Sequence, residues 1–201
     1  FIGNVIKGDL GNDLFSNRSV LLILSEQLPY TIVLAITAIG WSALIGIPLG
    51  CLSAVKPNSL LDKITGIVSV GTIAIPSFLV SIWAILIFSV GLKWLPVIGA
   101  GEPGDFGDQI FHLILPAFAV GLGWVGYLAR MVRASMLEVM SENYIRSANA
   151  FGLKSRTIIF RYALKVAILP TITLIGVGFG ALLSGTVFAE IIFLTSDFIK
   201  V

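Results

Sequence analysis

Residues 142–156 read Glu-Asn-Tyr-Ile-Arg-Ser-Ala-Asn-Ala-Phe-Gly-Leu-Lys-Ser-Arg, and they form the one long polar segment between two long apolar ones. From residue 130 to residue 165 the chain carries seven cations and two acids, a net charge of +5 in a protein whose total is +2. Apolar side chains in this segment recur at helical spacing, namely Tyr144, Ile145, Ala148 and Phe151. This spacing predicts a short amphipathic helix within a basic loop.

The end of this amphipathic helix is predicted from Gly152, because glycine tolerates the positive φ that a helix C-cap needs. Ser155 is then predicted to cap the N-terminus of a second helix, Arg156 to Tyr162. Apolar Tyr144, Ile145 and Phe151 in a water-facing loop predict an exposed stripe that a partner covers. A short helix, a glycine bend and a second helix on one membrane face are typical of a docking element.

Composition indicates a membrane protein, with 57% hydrophobic residues, 12% charged residues and a mean hydropathy of +1.00. A helix needs roughly 20 residues to cross the hydrocarbon layer of a bilayer. Four uncharged runs of at least 21 residues meet this length, at 27–55, 64–92, 109–129 and 166–189. The chain is therefore predicted to be an all-α, polytopic integral membrane protein.

The predicted organisation is a single transmembrane domain over residues 1–201. Its spans are expected at about 28–55, 64–92, 109–133 and 163–189, after an external segment at 1–27. Residues 18–28 are expected to form a short interfacial helix that ends before Pro29. Gly46 and Gly50 are predicted to allow close helix packing, and Pro76 is predicted to kink the second span.

Orientation follows from the positions of Lys and Arg. The 56–63 turn carries two lysines, and the 130–165 region carries seven cations, so both are predicted to be cytoplasmic. The 93–108 loop carries one lysine and three acids and is predicted to face outward. The loop at about 134–162 is therefore the expected cytoplasmic docking element.

Other motifs favour structural interpretations. Residues 121–126 fit the dinucleotide-binding pattern G-x-G-x-x-G, but they lie in an apolar run without a preceding strand, so helix packing is favoured. His112 is the only histidine and Cys51 is the only cysteine. No metal site is expected, because nearby sequence offers His112 no further ligands.

No catalytic residue is expected, since the sequence contains no phosphate-binding loop and no nucleophile or zinc-protease motif. The four apolar runs contain no Asp, Glu, Lys or Arg. Ion-coupled carriers usually need an ionisable group within the membrane. A transport path in this chain would therefore take its energy from elsewhere.

Residues 146–153, Arg-Ser-Ala-Asn-Ala-Phe-Gly-Leu, are followed at a fixed distance by Ala-Ile-Leu-Pro at 167–170. This pattern resembles the "EAA" loop of ATP-binding-cassette (ABC) importer permeases, in the version of the dipeptide/oligopeptide/nickel subfamily. Residues 133–139 and 8–11 are similar to that subfamily as well. Two positions depart from the general motif, with Arg146 in place of its Glu and Phe151 in place of its usual Lys.

The resemblance implies four visible helices of a six-helix permease in a prokaryotic inner membrane. It implies a second permease, two ATP-binding subunits that hold ATP and Mg, and an external solute-binding protein; no cofactor and no nucleic acid are expected on this chain. The residues implied to couple to the ATPase are Glu142, Tyr144, Ile145, Arg146, Ser147, Ala148, Asn149, Ala150, Phe151, Gly152 and Leu153. Candidate pivots are Pro76, Pro170 and Gly178.

The predicted cargo is short peptides, because four uncharged spans suit a wide and weakly binding path. Nickel or another small solute is the alternative within the subfamily. A secondary carrier, a channel or a scaffold subunit without transport is the alternative from another class.

Overall fold

The computed structural model describes residues 10–13, 17–96, 99, 101, 104–185, 189 and 192–193. These residues are mostly helical and contain no β-strand, so the predicted all-helical class is confirmed. The helices are α1 (Val20–Val55), α2 (Leu60–Ala74), α3 (Ser77–Ala84, continued by a π-helical segment Ile85–Gly91), α4 (Phe106–Met140), α5 (Asn143–Ala150), α6 (Ser155–Thr157, π-helical Ile158–Ala163, then Leu164–Ala167) and α7 (Leu169–Gly185).

Helices α1 and α4 are each long and apolar enough to cross a membrane. The α2–α3 and α6–α7 pairs also qualify if each bent pair is counted as one span, which gives up to four spans in the described part of the chain. These four units correspond to the four predicted spans. Their apolar outer surfaces are the expected consequence of folding in lipid, where exposed Leu, Ile and Val carry no penalty.

Among the described helices, α1 and α4 make the most extensive contact. A Cβ atom built on Gly46 would lie 2.8 Å from the Val125 carbonyl oxygen, and one built on Gly50 would lie 2.9 Å from the Val132 Cβ. The predicted role of both glycines in close packing is confirmed. Gly40, on the same helix, faces open space.

Two glycines of α4 belong to the pattern at 121–126 and bring two neighbouring helices close. A Cβ on Gly121 would lie 2.7 Å from the Ala38 carbonyl oxygen of α1. A Cβ on Gly126 would lie 2.7 Å from the Ser69 carbonyl oxygen of α2. The predicted helix-packing role of these glycines is confirmed.

The predicted interfacial helix at 18–28 is wrong, because α1 runs without interruption from Val20 to Val55 with Pro29 inside it. The segment predicted as external at 1–27 thus ends in helix, and residues 1–9 and 14–16 lie outside the described part. Proline removes one backbone hydrogen bond, and a long apolar helix tolerates that loss where side chains bond the freed groups. The carbonyl that Pro29 leaves without its helical donor is that of Ser25, an exposed residue in the first turns of the helix.

The predicted kink at Pro76 is a complete break, with α2 and α3 bent by 98°. Ile75 adopts extended backbone (φ −88°, ψ 121°), as expected of a residue that precedes proline. Pro76 then occupies the N-cap of α3. Because both residues leave helical geometry, the second span consists of two rods rather than one bent helix.

The fourth span is also divided, at Ile168, where α6 and α7 meet at 45°. Pro170 lies in the first turn of α7, a position where its missing N–H costs little. Gly178 lies inside the unbroken α7 and packs under the Trp124 ring, so the bend of this span is not at that glycine. The end of the predicted span, near residue 189, falls largely outside the described residues.

Candidate coupling site

Helix α5 is attached to the long helix α4 by a turn of only two residues, Ser141 and Glu142. The predicted loop at 134–162 therefore begins later than expected, since α4 remains helical to Met140. The Ser141 amide donates to the Glu138 carbonyl, and the Glu142 amide donates to the Val139 carbonyl, each at 3.1 Å. These bonds leave α5 little freedom to turn relative to α4.

The C-terminus of α5 is closed by Gly152, whose φ is +73°. The Leu153 amide donates to the Ala148 carbonyl at 3.3 Å, and the Gly152 amide donates to the Asn149 carbonyl at 2.9 Å. This pair of bonds is the Schellman motif, which needs a left-handed residue at the position of Gly152. The predicted glycine cap is confirmed.

The inner face of α5 is buried in the chain's own core. Ile145 is 1% exposed and Ala148 is 5% exposed. They pack in a cluster formed by α1, α4 and α6, here called the α5 seat, which comprises Cys51, Ala54, Val132, Met136, Val139, Ile158, Ala163 and Ala167. The prediction that Ile145 is part of an exposed stripe is therefore wrong, because its side chain holds α5 against the other helices.

The outer face of α5 is open. Phe151 is 84% exposed, and Tyr144 and Leu153 are also exposed. The remaining predicted coupling residues, all on the surface, are Glu142, Arg146, Ser147, Asn149, Ala150 and Gly152. The Ser147 hydroxyl donates to the Asn143 carbonyl at 3.0 Å, and the Asn149 amide group donates to the Ile145 carbonyl at 2.9 Å. The exposed face thus combines an aromatic projection with polar groups.

The next helix begins one residue earlier than predicted. Lys154 is the N-cap of α6 and Ser155 is its first residue, without a side-chain cap. The Lys154 carbonyl accepts from the amides of Thr157 and Ile158, at 2.8 and 3.1 Å, which is enough to start the helix. Ile158 then enters the α5 seat, so α6 supports α5 from the other side of the glycine bend.

A buried carboxylate joins three elements close to the α5 seat. Asp62, in the first turn of α2, is 6% exposed. It accepts hydrogen bonds from Arg133 of α4, with Nε to Oδ1 at 2.5 Å and Nη2 to Oδ2 at 2.8 Å. The Ser53 hydroxyl of α1 donates to Oδ1, and the Asn58 amide donates to Oδ2 at 2.9 Å. We call Ser53, Asn58, Asp62 and Arg133 the Asp62 node.

The sequence alone does not indicate this node, because Arg133 is one of seven cations in the basic region 130–165. A two-pronged arginine–carboxylate contact is among the stronger polar interactions, and here the Asp62 side chain is buried while the Arg133 side chain remains 33% exposed. One local signal was available. Ser59 and Asp62 have the spacing of a capping box, and the Ser59 hydroxyl does accept from the Asp62 amide at 3.2 Å.

A cavity of about 420 Å³ lies where the α2–α3 bend faces α4 and α7. Its walls include Thr72, Ser77, Trp124, Tyr127 and Val177, and none of the described residues that line it is charged. Trp124 and Tyr127 meet edge to face with ring centroids 5.9 Å apart. The volume falls in the range of about 300–1,000 Å³ that small-molecule pockets occupy.

The described residues contain no group of three or more His, Cys, Asp or Glu side chains that could hold a metal ion. His112 contacts its own helix, with Nδ1 2.9 Å from the Asp108 carbonyl oxygen. Cys51 is buried in the α5 seat. These two residues are accounted for by packing and local bonding.

The fold and the site define a polytopic helical membrane protein that presents one two-faced helix at its basic end. Residues 46–201 match the family described as "Binding-protein-dependent transport system inner membrane component", and the chain belongs to this family. The sequence-based assignment to ABC importer permeases of the dipeptide/oligopeptide/nickel type is thereby confirmed.

Three relatives carry the same name, "Glutathione transport system permease protein GsiC". The protein of Escherichia coli O6:H1 is 34% identical over 193 residues. Those of Pectobacterium atrosepticum and Shigella flexneri serotype 5b are each 33% identical over 193 residues. The alignments cover 96% of this chain and 61% of each relative, so the chain spans about three-fifths of the length of these proteins.

Proposed function

We propose that this chain is the membrane-spanning subunit of an ATP-driven importer and that α5 is its docking helix for an ATP-binding subunit. The observation that carries the proposal is the two-faced character of α5, which buries Ile145 in the permease and exposes Phe151. ATP and Mg would be held by the partner subunits. A second permease and an external solute-binding protein would complete the assembly.

The orientation proposed for this assembly places α5 in the cytoplasm. Cytoplasmic loops of membrane proteins are enriched in Lys and Arg. The α1–α2 turn contributes Lys56 and Lys63, and the region from Arg130 to Lys165 contributes seven cations. Both regions lie at the end of the molecule that holds the Asp62 node and the α5 seat, which supports a single basic face toward ATP-binding subunits.

Motion of α5 would be passed to the membrane helices through its seat. Closure of the two ATP-binding subunits around ATP would draw the docked α5 helices of the two permeases together. Because α5 packs on α1, α4 and α6, these helices would follow it as one body. The transporter would then alternate between inward-open and outward-open states, whose populations the partners shift.

The cargo proposed is short peptides. Relatives are named for the transport of glutathione, which is a tripeptide. The neutral cavity at the α2–α3 bend also suits a peptide, because Thr72 and Ser77 offer hydroxyl groups and Trp124 offers an apolar surface without fixed charge. We propose that this cavity borders the solute path. Naked nickel is disfavoured, since none of the described residues that line the cavity is His, Cys, Asp or Glu.

The experiment that tests this function is uptake by the complete transporter in proteoliposomes with ATP inside. Labelled di- to pentapeptides, including glutathione, are compared with nickel. Peptide uptake that requires both ATP and the solute-binding protein is expected. Uptake of nickel alone would assign the alternative cargo, and uptake driven by an ion gradient without ATP would overturn the importer proposal.

Gly152→Val should reduce peptide uptake about tenfold while the complex still assembles. Left-handed backbone costs a residue with a side chain roughly 1–2 kcal/mol, and more when it is β-branched. No atom lies within 4 Å of a Cβ built on Gly152, so the effect would come from the backbone and not from a clash. Uptake per assembled complex is the measurement.

Gly152→Asn is the matched control, because asparagine is among the residues that best tolerate positive φ. It should keep most of the parent activity. Equal uptake by the Val and Asn variants would show that the capped end of α5 does not determine coupling.

A further inference from the structure

The Asp62 node lies beside the α5 seat and shares two helices with it. Ser53 of the node lies between Cys51 and Ala54 of the seat, and Arg133 follows Val132 of the seat. A displacement of the seat therefore reaches Ser53 and Arg133 directly. Asp62 is the residue through which α2 is attached to both.

Helix α2 connects this node to the cavity. It has 15 residues, a length of about 22 Å, and its far end at Ala74 is the start of the 98° bend. Ile75 and Ser77 at that bend line the cavity. The node and the cavity are thus at opposite ends of one straight rod.

Helix α2 also contacts α4 through small residues. Gly126 packs against Ser69 and Thr72, a contact between small, uncharged residues. The two-pronged bond from Arg133 to Asp62 is directional and fixes both distance and angle. Of these two contacts, the node is the one whose directional bonds set the position of α2 along α4.

We propose that the Asp62 node transmits movement of the α5 seat to the bend at Ile75–Pro76, so that Asp62 and Arg133 are positioning residues for transport. The proposal rests on the proposed importer function. When the seat moves, Arg133 carries Asp62 with it, and α2 shifts the cavity wall. Without the node, α5 still docks and ATP is still hydrolysed, but the cavity wall does not follow.

The test uses the complete transporter with Asp62→Asn and Arg133→Lys, each assayed for labelled glutathione imported per ATP hydrolysed. We expect this ratio to fall about tenfold in Asp62→Asn. The ratio should fall by a smaller factor in Arg133→Lys, because lysine keeps the positive charge but cannot form the two-pronged bond. A purely structural role would reduce the amount of assembled complex and leave the ratio unchanged. Parent ratios in both variants would overturn the proposal.

Glu26→Gln is the matched control, because it breaks an exposed ion pair, Arg18 to Glu26 at 2.8 Å, in the first turns of α1. This variant should keep the parent ratio. A tenfold loss there too would show that the ratio responds to any broken ion pair and would overturn the role given to Asp62.

A distance measurement separates failure of this inference from failure of the proposed function. Spin labels are placed at Lys63→Cys on α2 and Glu138→Cys on α4 in a Cys51→Ser background, since both sites are exposed. With Asp62 present, ATP binding should leave one narrow distance between the labels. In Asp62→Asn, ATP binding should broaden the distribution of distances between the labels. An equally narrow distribution of distances in the parent and in Asp62→Asn would overturn the linkage of α2 to α4 through the node, even if the parent imports no glutathione.

Discussion

Phe151→Glu should weaken binding of the ATP-binding subunit to the permease by about 30-fold or more. Phe151 is 84% exposed at the end of α5, which is the arrangement of an aromatic anchor that fills a partner's pocket. Loss of such an anchor typically costs 2 kcal/mol or more, and a buried unpaired carboxylate adds to that cost. Titration of the purified ATP-binding subunit against the permease in nanodiscs provides the affinity.

Phe106→Glu is the control, because Phe106 is similarly exposed, at 79%, but begins α4 at the opposite end of the molecule. Its affinity for the ATP-binding subunit should equal that of the parent. If Phe151→Glu binds as tightly as Phe106→Glu, the outer face of α5 is not the docking surface.

The local features of α5 followed from the sequence because neighbouring residues determine them. Helical spacing from Tyr144 to Phe151 predicts the helix, and a glycine at the next position predicts the turn that ends it. The φ of +73° at Gly152 agrees with that prediction. Such features need no information about the rest of the fold.

The division of α5 into two faces could not be predicted in the same way. Periodicity shows that Ile145 and Phe151 are apolar, but it does not show whether each contacts the permease or a partner. That depends on where α1, α4 and α6 lie, and these helices place Ile145 in the seat and leave Phe151 outside. A single apolar stripe thus has two roles.

The Asp62 node shows a second limit. Asp62 and Arg133 are 71 residues apart in sequence, and no local pattern pairs them. A count of charges along the sequence assigns Asp62 and Arg133 to two separate loops, where each would be solvated. Their contact exists because Gly126 allows α2 to lie close against α4, which brings the first turn of α2 beside Arg133.

Prolines in the sequence mark possible helix interruptions, but they do not show whether, or by how much, the helix is interrupted. Pro76 marks where the second span changes direction, yet the break of 98° depends on packing of α2 and α3 against α4 on either side of the bend. Pro29 gives the opposite outcome, since α1 continues through it. The same residue type therefore breaks one helix and not another, according to what supports the chain around it.

Helix α4 connects the docking helix α5, the Asp62 node and the cavity. It packs on α1 along its length, carries Arg133 of the node, lines the cavity with Trp124 and leads through two residues into α5. A change at α5 is thus applied to the end of a helix that contacts the cavity directly. How tightly α5 packs in its seat then determines how much of that change reaches the cavity.

Ile145→Ala should detach α5 from its seat. Removal of a buried isoleucine side chain to alanine costs about 2–5 kcal/mol, and here the cost falls on an eight-residue helix whose inner face has only one other buried residue, Ala148. Opening of α5 should therefore become about 30-fold or more frequent. Hydrogen exchange of the α5 amides, measured on the permease in nanodiscs without its partners, reports this opening directly.

Arg146→Ala, at the adjacent exposed position, should leave those exchange rates at the parent level, because Arg146 has no place in the seat. Parent exchange rates in Ile145→Ala would mean that the turn at Ser141 and the Gly152 cap hold α5 without its buried face, and that its motion is not transmitted through the seat.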